Sequence, residues 1–559
     1  MPTVGEIVIG TLVAHGIDRI FCVPGESYLG LLDPLFGRDD IDTVVCRHES
    51  GAGFMALADA RLSGKPGVAM VSRGPGAANA AVAVHTAQQD GVPFILFIGQ
   101  VALRDVRRDS FQEIDYGHMF GKIAKWTAEV TDPNRISETL LRALQVATTG
   151  LPGPVVISIP EDILTGESEG QVVRPQQKPR SAPDEEAILE LRQLLTTARR
   201  PLVLAGSGID SGLARADLLA FLEAWNVPAV VSFRRQDLLP NTHRLYAGDM
   251  GLANPEHQMK VLRECDLLLS IGARLSDVTT QGYTYPRLVR PQMKLVHIHV
   301  DPAVIGTHFA SDLAIACHPS IAMAALGVPD RALPERDDWV GRLKEQRANI
   351  AGMRNIPVLD GLPFELAVET VGRHLPEDAI VTVDAGAFGE SVYRVIPFRP
   401  PQRLLAPISG AMGFGIPAAV AASLREPRRT VICFVGDGGF LMTGSELAVA
   451  LERRLPIKVI LSENKMYGSI RIHQEREYPG RSVGTTFVNP DFDLIGRAYG
   501  CSVIRISTLA DLNRIPDMMY APGPHFIAID TSVQASIRKF PESNQFDARP
   551  GPEVGAPAT

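Results

Sequence analysis

The sequence is short of paired cysteines, of surplus positive charge and of long apolar runs, and each shortage excludes something. Its six cysteines (Cys22, Cys46, Cys265, Cys317, Cys433 and Cys501) are scattered and form no CxxC pair. Several sit inside apolar stretches such as "VICFV", where a thiol behaves as a small hydrophobe. A disulfide framework and a cysteine zinc site are therefore excluded, and a reducing compartment is expected. A net charge of −8 argues against a nucleic-acid or anionic-membrane surface, which needs clustered Lys and Arg. No apolar run approaches the ~20 residues that cross a bilayer. "MPTVGEIVIGTLVAHG" carries Glu6 and lacks the basic flank and cleavage site of a signal peptide. A cytoplasmic protein without nucleic-acid or membrane partners is expected.

What the sequence does contain is a repeated alternation. Apolar, β-branched runs, most ending in Gly, Pro or Asp, alternate with Ala- and Leu-rich helical stretches: "TVVCRHE", "GVAMVS", "PFILFIG" and "PVVISIP", then "PLVLAG", "PAVVSF", "DLLLSIGA" and "KLVHIHVD", then "AIVTVDAG", "TVICFVGDG", "IKVILSEN" and "HFIAIDT". Continuous apolar strands separated by helices mean parallel sheets covered on both faces. With 559 residues, the length suits about three domains. The fold class expected is α/β, with three doubly wound parallel-sheet domains. Polar, Pro-bearing stretches at 165–186 and 327–360 place the domains at 1–168, 188–328 and 360–540, with a tail at 541–559 that has little to bury. No short repeat is evident.

One loop, "VGDGGFLM" at 435–442, has more than a turn's worth of chemistry. It follows an apolar strand, precedes the helical stretch "TGSELAVALERRLP", and leads to a second strand, "IKVILSEN". In that stretch Leu447, Leu451 and Leu455 are expected on one helical face, with Glu446 in the first turn and Pro456 as the stop. The 27 residues between Asp437 and Asn464 suit a right-handed crossover. Such a unit brings the C-terminal ends of both strands to one sheet edge, where ligands bind. A carboxylate and an amide oxygen are hard donors that suit Mg²⁺. Open N–H groups at Gly438 and Gly439 favour a diphosphate. The loop is not GxGxxG and no P-loop Lys follows. A glycine turn that holds nothing is the competing reading, weakened by the Asn at the end of the next strand.

Gly436-Asp437-Gly438 followed by Glu463-Asn464 resembles the signature of the thiamine diphosphate (ThDP)-dependent enzymes of the acetolactate synthase, pyruvate oxidase and pyruvate decarboxylase group; the first Asn of their pair is Glu463 here. The resemblance implies pyrimidine-binding, central and diphosphate-binding domains in that order. It implies a metal, Mg²⁺, held by Asp437, Asn464 and the backbone carbonyl of Met466. "CRHESGAGFMALADARLSGKPGVAMVSRGPG", from 46, resembles the family's catalytic-glutamate segment and its following GPG turn. Glu49 would then share a proton with the aminopyrimidine ring, a task that suits a desolvated carboxyl of raised pKa. "PISGAMGFG", from 407, resembles the segment that bends the cofactor, with Met412 as the wedge and the Gly410 carbonyl as acceptor. "VDAGAFGES", from 383, stands where the family has a second phosphate-contacting loop, with Ala387-Phe388 in place of Gln-His. Cofactor contacts are further implied at Pro24, the Gly74-Pro75-Gly76 turn, Gly436, Gly438, Gly439, Tyr467 and Gly468. Because Glu49 of one subunit faces the clamp of another in this family, a homodimer at least, and often a homotetramer, is implied.

The features that select a reaction are mixed. "DSFQEID" resembles the acetolactate synthase segment, with Phe111 and Gln112 facing the reacting centre and Lys122 nearby, and the adjacent His pair of pyruvate decarboxylases is absent; His118 stands alone. Glu26, in "VPGESYLGLLD", matches an acidic residue of those decarboxylases, and either handles protons or caps a helix start. After Asn464, His473 falls where acetolactate synthases place an acceptor-pocket Trp, while "YGSIR" resembles benzoylformate decarboxylase. Arg471 there either meets a substrate carboxylate or pairs with Glu475 or Glu477. "GARLSDVTTQGY", from 272, resembles a flavin-lining stretch with Arg274 and Asp277, yet His299 stands where the synthase has an acid. FAD is thus a possible additional cofactor, and a scaffold with a vestigial nucleotide site is the alternative. The activity expected is decarboxylation of a pyruvate-like 2-oxo acid with carboligation to a second carbonyl compound. The alternatives are a non-oxidative 2-oxo acid decarboxylase and a cofactor-binding regulatory paralogue, the latter disfavoured by the intact Glu49.

Overall fold

The computed structural model describes residues 1–177, 181–210, 212–252, 254–352, 358 and 360–538. The tail at 541–559 and parts of both interdomain stretches lie outside the described residues. Three six-stranded sheets are present, each wholly parallel in its pairing.

The first sheet comprises β1 (Arg19–Cys22), β2 (Asp42–Val45), β3 (Gly67–Ser72), β4 (Phe94–Gln100), β5 (Trp126–Glu129) and β6 (Pro154–Pro160), in the order β2-β1-β3-β4-β6-β5. The second comprises β7 (Pro201–Ala205), β8 (Ala229–Ser232), β9 (Tyr246–Met250), β10 (Leu267–Ile271), β11 (Lys294–His299) and β12 (Leu313–Ala316), in the order β12-β11-β10-β7-β8-β9. The third comprises β13 (Ile380–Val383), β14 (Arg403–Leu405), β15 (Val431–Gly436), β16 (Lys458–Glu463), β17 (Ser502–Ile506) and β18 (His525–Asp530), in the order β14-β13-β15-β16-β18-β17.

The first and third sheets share one strand order, a structural repeat that leaves no repeat in the sequence. In both, the order reverses beside the strand that comes first in sequence, between β1 and β3 and between β13 and β15. Open α/β sheets bind ligands outside the strand ends at such a reversal. Central strands such as β4 and β6 are buried along their whole length, as apolar runs with helices on both faces must be.

The first and third domains meet through helix Glu49–Ser63 and helix Gly415–Arg425. Both are rich in Gly and Ala and buried over most of their length, so their backbones can approach closely. Phe54 and Phe414 meet edge to face at 5.6 Å, and Arg425 pairs with Asp18 and Asp59 across the junction at 2.7 and 2.8 Å.

Residues 403–409 run between all three domains. Arg61 donates to the Leu404 and Ala406 carbonyls at 3.1 Å each, and the Leu404 N–H donates to Asp237 at 3.0 Å. Arg234 donates to the Pro407 carbonyl, and the Ser409 N–H donates to Asp90 at 3.1 Å. The next residue is Gly410, at φ 72°.

One expectation needs correcting. The stretch after the glycine loop is not a single helix with Leu447, Leu451 and Leu455 on its buried face. Helix begins at Asp437 itself (Asp437–Thr443), tightens through a 3₁₀ turn at Gly444–Glu446, and resumes at Leu447–Glu452. The break rotates the face, so Leu447 and Leu455 are buried and Leu451 is half exposed.

Candidate functional site

The reversal between β13 and β15 holds a cavity of about 200 Å³. Its walls include Ala387 and Phe388 after β13, Gly410 and Met412, the Gly436–Gly439 loop after β15, and Asn464, Met466, Tyr467 and Gly468 after β16. Residues expected from the sequence to converge from four separate segments therefore line one space.

Asp437 is the polar centre of that space. It is almost fully buried, and burial raises its pKa against the pull of several N–H donors. Its Oδ2 accepts from the backbone N–H of Asn464 at 3.0 Å and of Lys465 at 2.6 Å, and its Oδ1 accepts from the Gly438 N–H at 2.9 Å, so the Gly438 N–H, expected to be open, is already taken by the carboxylate beside it. Lys465 takes φ 59° to present both N–H groups to one carboxylate. The Met466 segment is fixed from outside by Tyr467 N–H donating to Thr485 and Phe487 N–H donating to Lys465.

Asn489, which carried no signal in the sequence, donates its Nδ2 to Asp437 at 2.9 Å, while its buried Oδ1 has no partner. Glu463, at the position of the family's first Asn, is buried and pairs with Arg505 at 2.9 Å, so its charge is neutralised away from the cavity. Among the described residues no group of three or more His, Cys, Asp or Glu is arranged to hold a metal. One carboxylate with amide and carbonyl oxygens nevertheless fits a hard cation that takes the rest of its shell from phosphate and water. A Cβ on Gly438 would lie 2.7 Å from the Tyr467 ring, so a side chain there must displace that ring.

Asp384, at the end of β13, is a second buried carboxyl that the sequence did not single out. It accepts from the N–H groups of Ala385 and Gly413 at 2.6 and 2.9 Å and is pushed up to about 6 by burial. It fixes the turn just after Met412. Phe388 packs edge-on against Phe364 at 5.9 Å, so its ring serves the core as well as the cavity wall.

The first domain assembles its own edge at the matching reversal. Pro24 and Glu26 follow β1, Glu49 opens the helix after β2, the Gly74-Pro75-Gly76 turn follows β3, and the Phe111–Gln112 loop follows β4. Asn79 donates to Glu49 Oε2 at 2.9 Å. Gly76 leaves room beside the other oxygen, since a Cβ there would lie 3.3 Å from Oε1. Glu49 is half-buried rather than desolvated in the single chain, and no residue of the first domain lines the Asp437 cavity. Glu26 caps nothing with its side chain; it is exposed and pairs with Arg73 at 3.4 Å. Phe111 is exposed, and the Gln112 carbonyl accepts from the Gly74 N–H at 2.9 Å. His118 pairs with Asp115 at 2.7 Å.

Glu446 joins the two edges. Its buried carboxylate accepts from the backbone N–H of His48 at 2.9 Å and of Arg47 at 3.1 Å, immediately before Glu49. Burial raises it to about 7.

Two further residues named from the sequence lie outside that cavity. Arg471 pairs with Glu475 at 2.8 Å along its own helix. His473 is absent from the Asp437 cavity and lines an adjoining one of about 230 Å³ between the central and third domains, where Arg476 contacts its Nδ1 at 2.8 Å. A third cavity, of about 530 Å³, lies at the reversal between β7 and β10 and is lined by Ser207, Ser276, Asp277 and Thr279 among others. Arg274 also lines it, but its guanidinium donates to the Gln88 and Gln89 carbonyls. His299 is buried, its pKa lowered to about 4 by burial, and accepts from the Asp301 N–H at 3.0 Å.

Comparison with known proteins agrees with this geometry. Residues 2–119 match the N-terminal TPP binding domain of the thiamine pyrophosphate enzymes, 188–326 their central domain and 384–529 their C-terminal TPP binding domain. The chain is 32% identical to the acetolactate synthase large subunit of Lactococcus lactis subsp. lactis, over 91% of this chain and 90% of that protein. It is 31% identical to the probable acetolactate synthase large subunit of Methanocaldococcus jannaschii (94% and 91% covered). It is 30% identical to the isozyme 1 large subunit of Escherichia coli (96% and 95% covered). The chain therefore belongs to the thiamine pyrophosphate enzymes, and within them it is a ThDP-dependent enzyme of the acetolactate synthase type. No helix among the described residues is long and apolar enough to cross a membrane.

Proposed function

We propose that the protein uses ThDP and Mg²⁺ to decarboxylate a pyruvate-like 2-oxo acid and joins the remaining acyl unit to a second carbonyl compound, as the names of its relatives suggest. The observation that carries this reading is the buried Asp437 carboxylate beside Asn464 and Met466, in a cavity that Gly410 and Met412 also line. When bound, ThDP supplies the nucleophilic carbon and the electron sink that let CO₂ leave.

The chain's own residues have distinct tasks in this reading. Asp437, Asn464 and the Met466 carbonyl hold the cation. The Gly438 and Gly439 backbone faces the diphosphate, with Gly436, Tyr467, Gly468, Ala387 and Phe388 as walls. Met412 would support the cofactor's bend and the Gly410 carbonyl would accept from its amino group. Glu49, with Pro24 and the Gly74-Pro75-Gly76 turn around it, holds a proton for the ring nitrogen. Phe111, Gln112 and Glu26 stand near the reacting centre.

Glu49 belongs to one edge and Asp437 to another, whose cavity no first-domain residue lines. This separation supports a homodimer in which each subunit completes the other's site, with a homotetramer as the larger assembly. The three domains are taken as 1–168, 188–328 and 360–540, and the enzyme as cytoplasmic. FAD is read as an optional occupant of the central cavity; a yellow purified protein supports it and a colourless one with no flavin on extraction refutes it.

Product analysis with pyruvate alone tests the reaction. Acetolactate or acetoin supports carboligation. Acetaldehyde as the sole product favours the second reading, a simple decarboxylase, for which the Glu26 carboxylate, exposed beside the Gly74 turn, is the supporting observation.

A further inference from the structure

Glu49 opens helix Glu49–Ser63, and its carboxylate lies against helix Gly74–Asp90 of the same domain. Its two oxygens have different surroundings. Oε2 accepts from the Asn79 side-chain amide at 2.9 Å. Oε1 has no hydrogen-bond partner among the described residues. It lies beside Gly76, where a Cβ would come within 3.3 Å of Oε1 and of Val71, so the bare glycine backbone leaves this oxygen uncovered.

The other polar groups near Glu49 are occupied. Glu446 and Tyr28 both feel its charge. Glu446, however, accepts from the His48 and Arg47 N–H groups, and the Tyr28 hydroxyl donates to the Val23 carbonyl. The His48 ring is engaged with Ser50. Asn79 is thus the one side chain, among the described residues, that bonds the Glu49 carboxylate. An ionised carboxylate only accepts, whereas a protonated one has one O–H donor and one carbonyl-like acceptor. An amide N–H aimed at one oxygen favours the acceptor form there and leaves the proton to the other oxygen.

We infer that Asn79 is a positioning residue that assigns the two oxygens of Glu49 their parts: Oε2 remains the acceptor of the Asn79 amide, and Oε1 alone carries the proton that meets the ring nitrogen of the cofactor. This rests on the reading of Glu49 as the residue that shares a proton with ThDP. The transfer balances at one pair of atoms. The Oε1–H bond breaks as the ring nitrogen gains the proton, the charge left on Glu49 is held by the Asn79 N–H, and the reverse transfer restores Oε1–H. An acceptor in place of the amide would draw the proton to Oε2, between two carboxylates, because two such groups in contact do not both ionise. Oε1 would then meet the ring nitrogen lone pair against lone pair. Asn79→Asp makes that replacement at constant size.

The test uses the full-length protein with Mg²⁺. Asn79 is exposed, so its substitution leaves the core untouched. Calorimetry compares ThDP with the analogue in which CH replaces the ring nitrogen. Wild type is expected to bind ThDP at least about 10-fold more tightly than the analogue. Asn79→Asp should lower that preference by about 10-fold, with the affinity for the analogue moved by less than about 3-fold. A second measurement follows the exchange of the C2 proton of bound ThDP with solvent deuterium, by NMR and without any 2-oxo acid. Asn79→Ala should slow it by about 10-fold and Asn79→Asp by at least about 100-fold. An undiminished preference in Asn79→Asp, or exchange in that variant no slower than in Asn79→Ala, overturns the inference. Exchange slowed by Glu49→Gln but by neither Asn79 variant overturns it too, and leaves the reading of Glu49 standing. Exchange unchanged by Glu49→Gln overturns both.

Discussion

Glu446 accepts the backbone N–H of His48 at 2.9 Å across 398 residues of sequence, and His48 directly precedes Glu49. The third domain thus holds the start of the helix that carries the first domain's candidate acid. Burial raises Glu446 from 4.5 to about 7. In the folded state it keeps its proton through a range where the unfolded chain has lost it, so stability falls as pH rises from about 4.5 through about 7. Glu446→Gln should flatten that fall. Denaturant midpoints at pH 5 and pH 8, compared between wild type and variant, measure it.

Asp437→Ala should lower Mg²⁺-dependent ThDP affinity by at least about 100-fold, and Asn489→Ala, which removes the donor shared by Asp437 and Glu463, by about 10-fold. Titration calorimetry with ThDP at fixed Mg²⁺ distinguishes the two. An Asn489 variant with unchanged affinity would show that its unpaired Oδ1 has no bearing on the cation.

Chelation should remove cofactor binding as a whole. Dialysis against EDTA is expected to abolish ThDP binding, and added Mg²⁺ or Ca²⁺ to restore it, since the candidate donors are oxygens alone. Restoration by neither ion would contradict the assigned ligands.

Glu49→Gln keeps the shape of the side chain and removes its proton exchange. Turnover should fall by about 10²–10⁴-fold with ThDP affinity within about 3-fold. Pre-steady-state product formation, alongside calorimetry, separates these effects.

Gly438→Ala places a methyl 2.7 Å from the Tyr467 ring. The ring is a cavity wall, so the displacement should cost cofactor affinity more than folding stability, by about 10-fold against a loss of about 1 kcal/mol. Equal losses in both would place Tyr467 in the core alone.

The sequence disclosed what short-range patterns can carry. Runs such as "TVICFVGDG" and "IKVILSEN" identified β15 and β16, and their spacing brought Asp437 to Asn464. The strands it did not disclose are β1 and five at sheet edges: β5, β9, β12, β14 and β17. The edge strands lack a continuous apolar run: β5 and β17 are partly solvated, β12 alternates buried and exposed residues, and β9 and β14, though mostly buried, are broken by Gly and Asp or only three residues long. Glu446, Asp384, Asn489 and Arg234 were also hidden, because their meaning comes from partners brought close only by the fold. Glu463 is the converse case: its departure from the family pattern was visible, but the Arg505 that neutralises it was not.

The segment at 403–409 is fastened by side chains from both of the other domains. It cannot stay in place once either neighbour lets go. Heat or denaturant should therefore release the cofactor and unfold the three domains in one transition. Separately expressed domains, even well-folded ones, should show no ThDP affinity when mixed at low concentration.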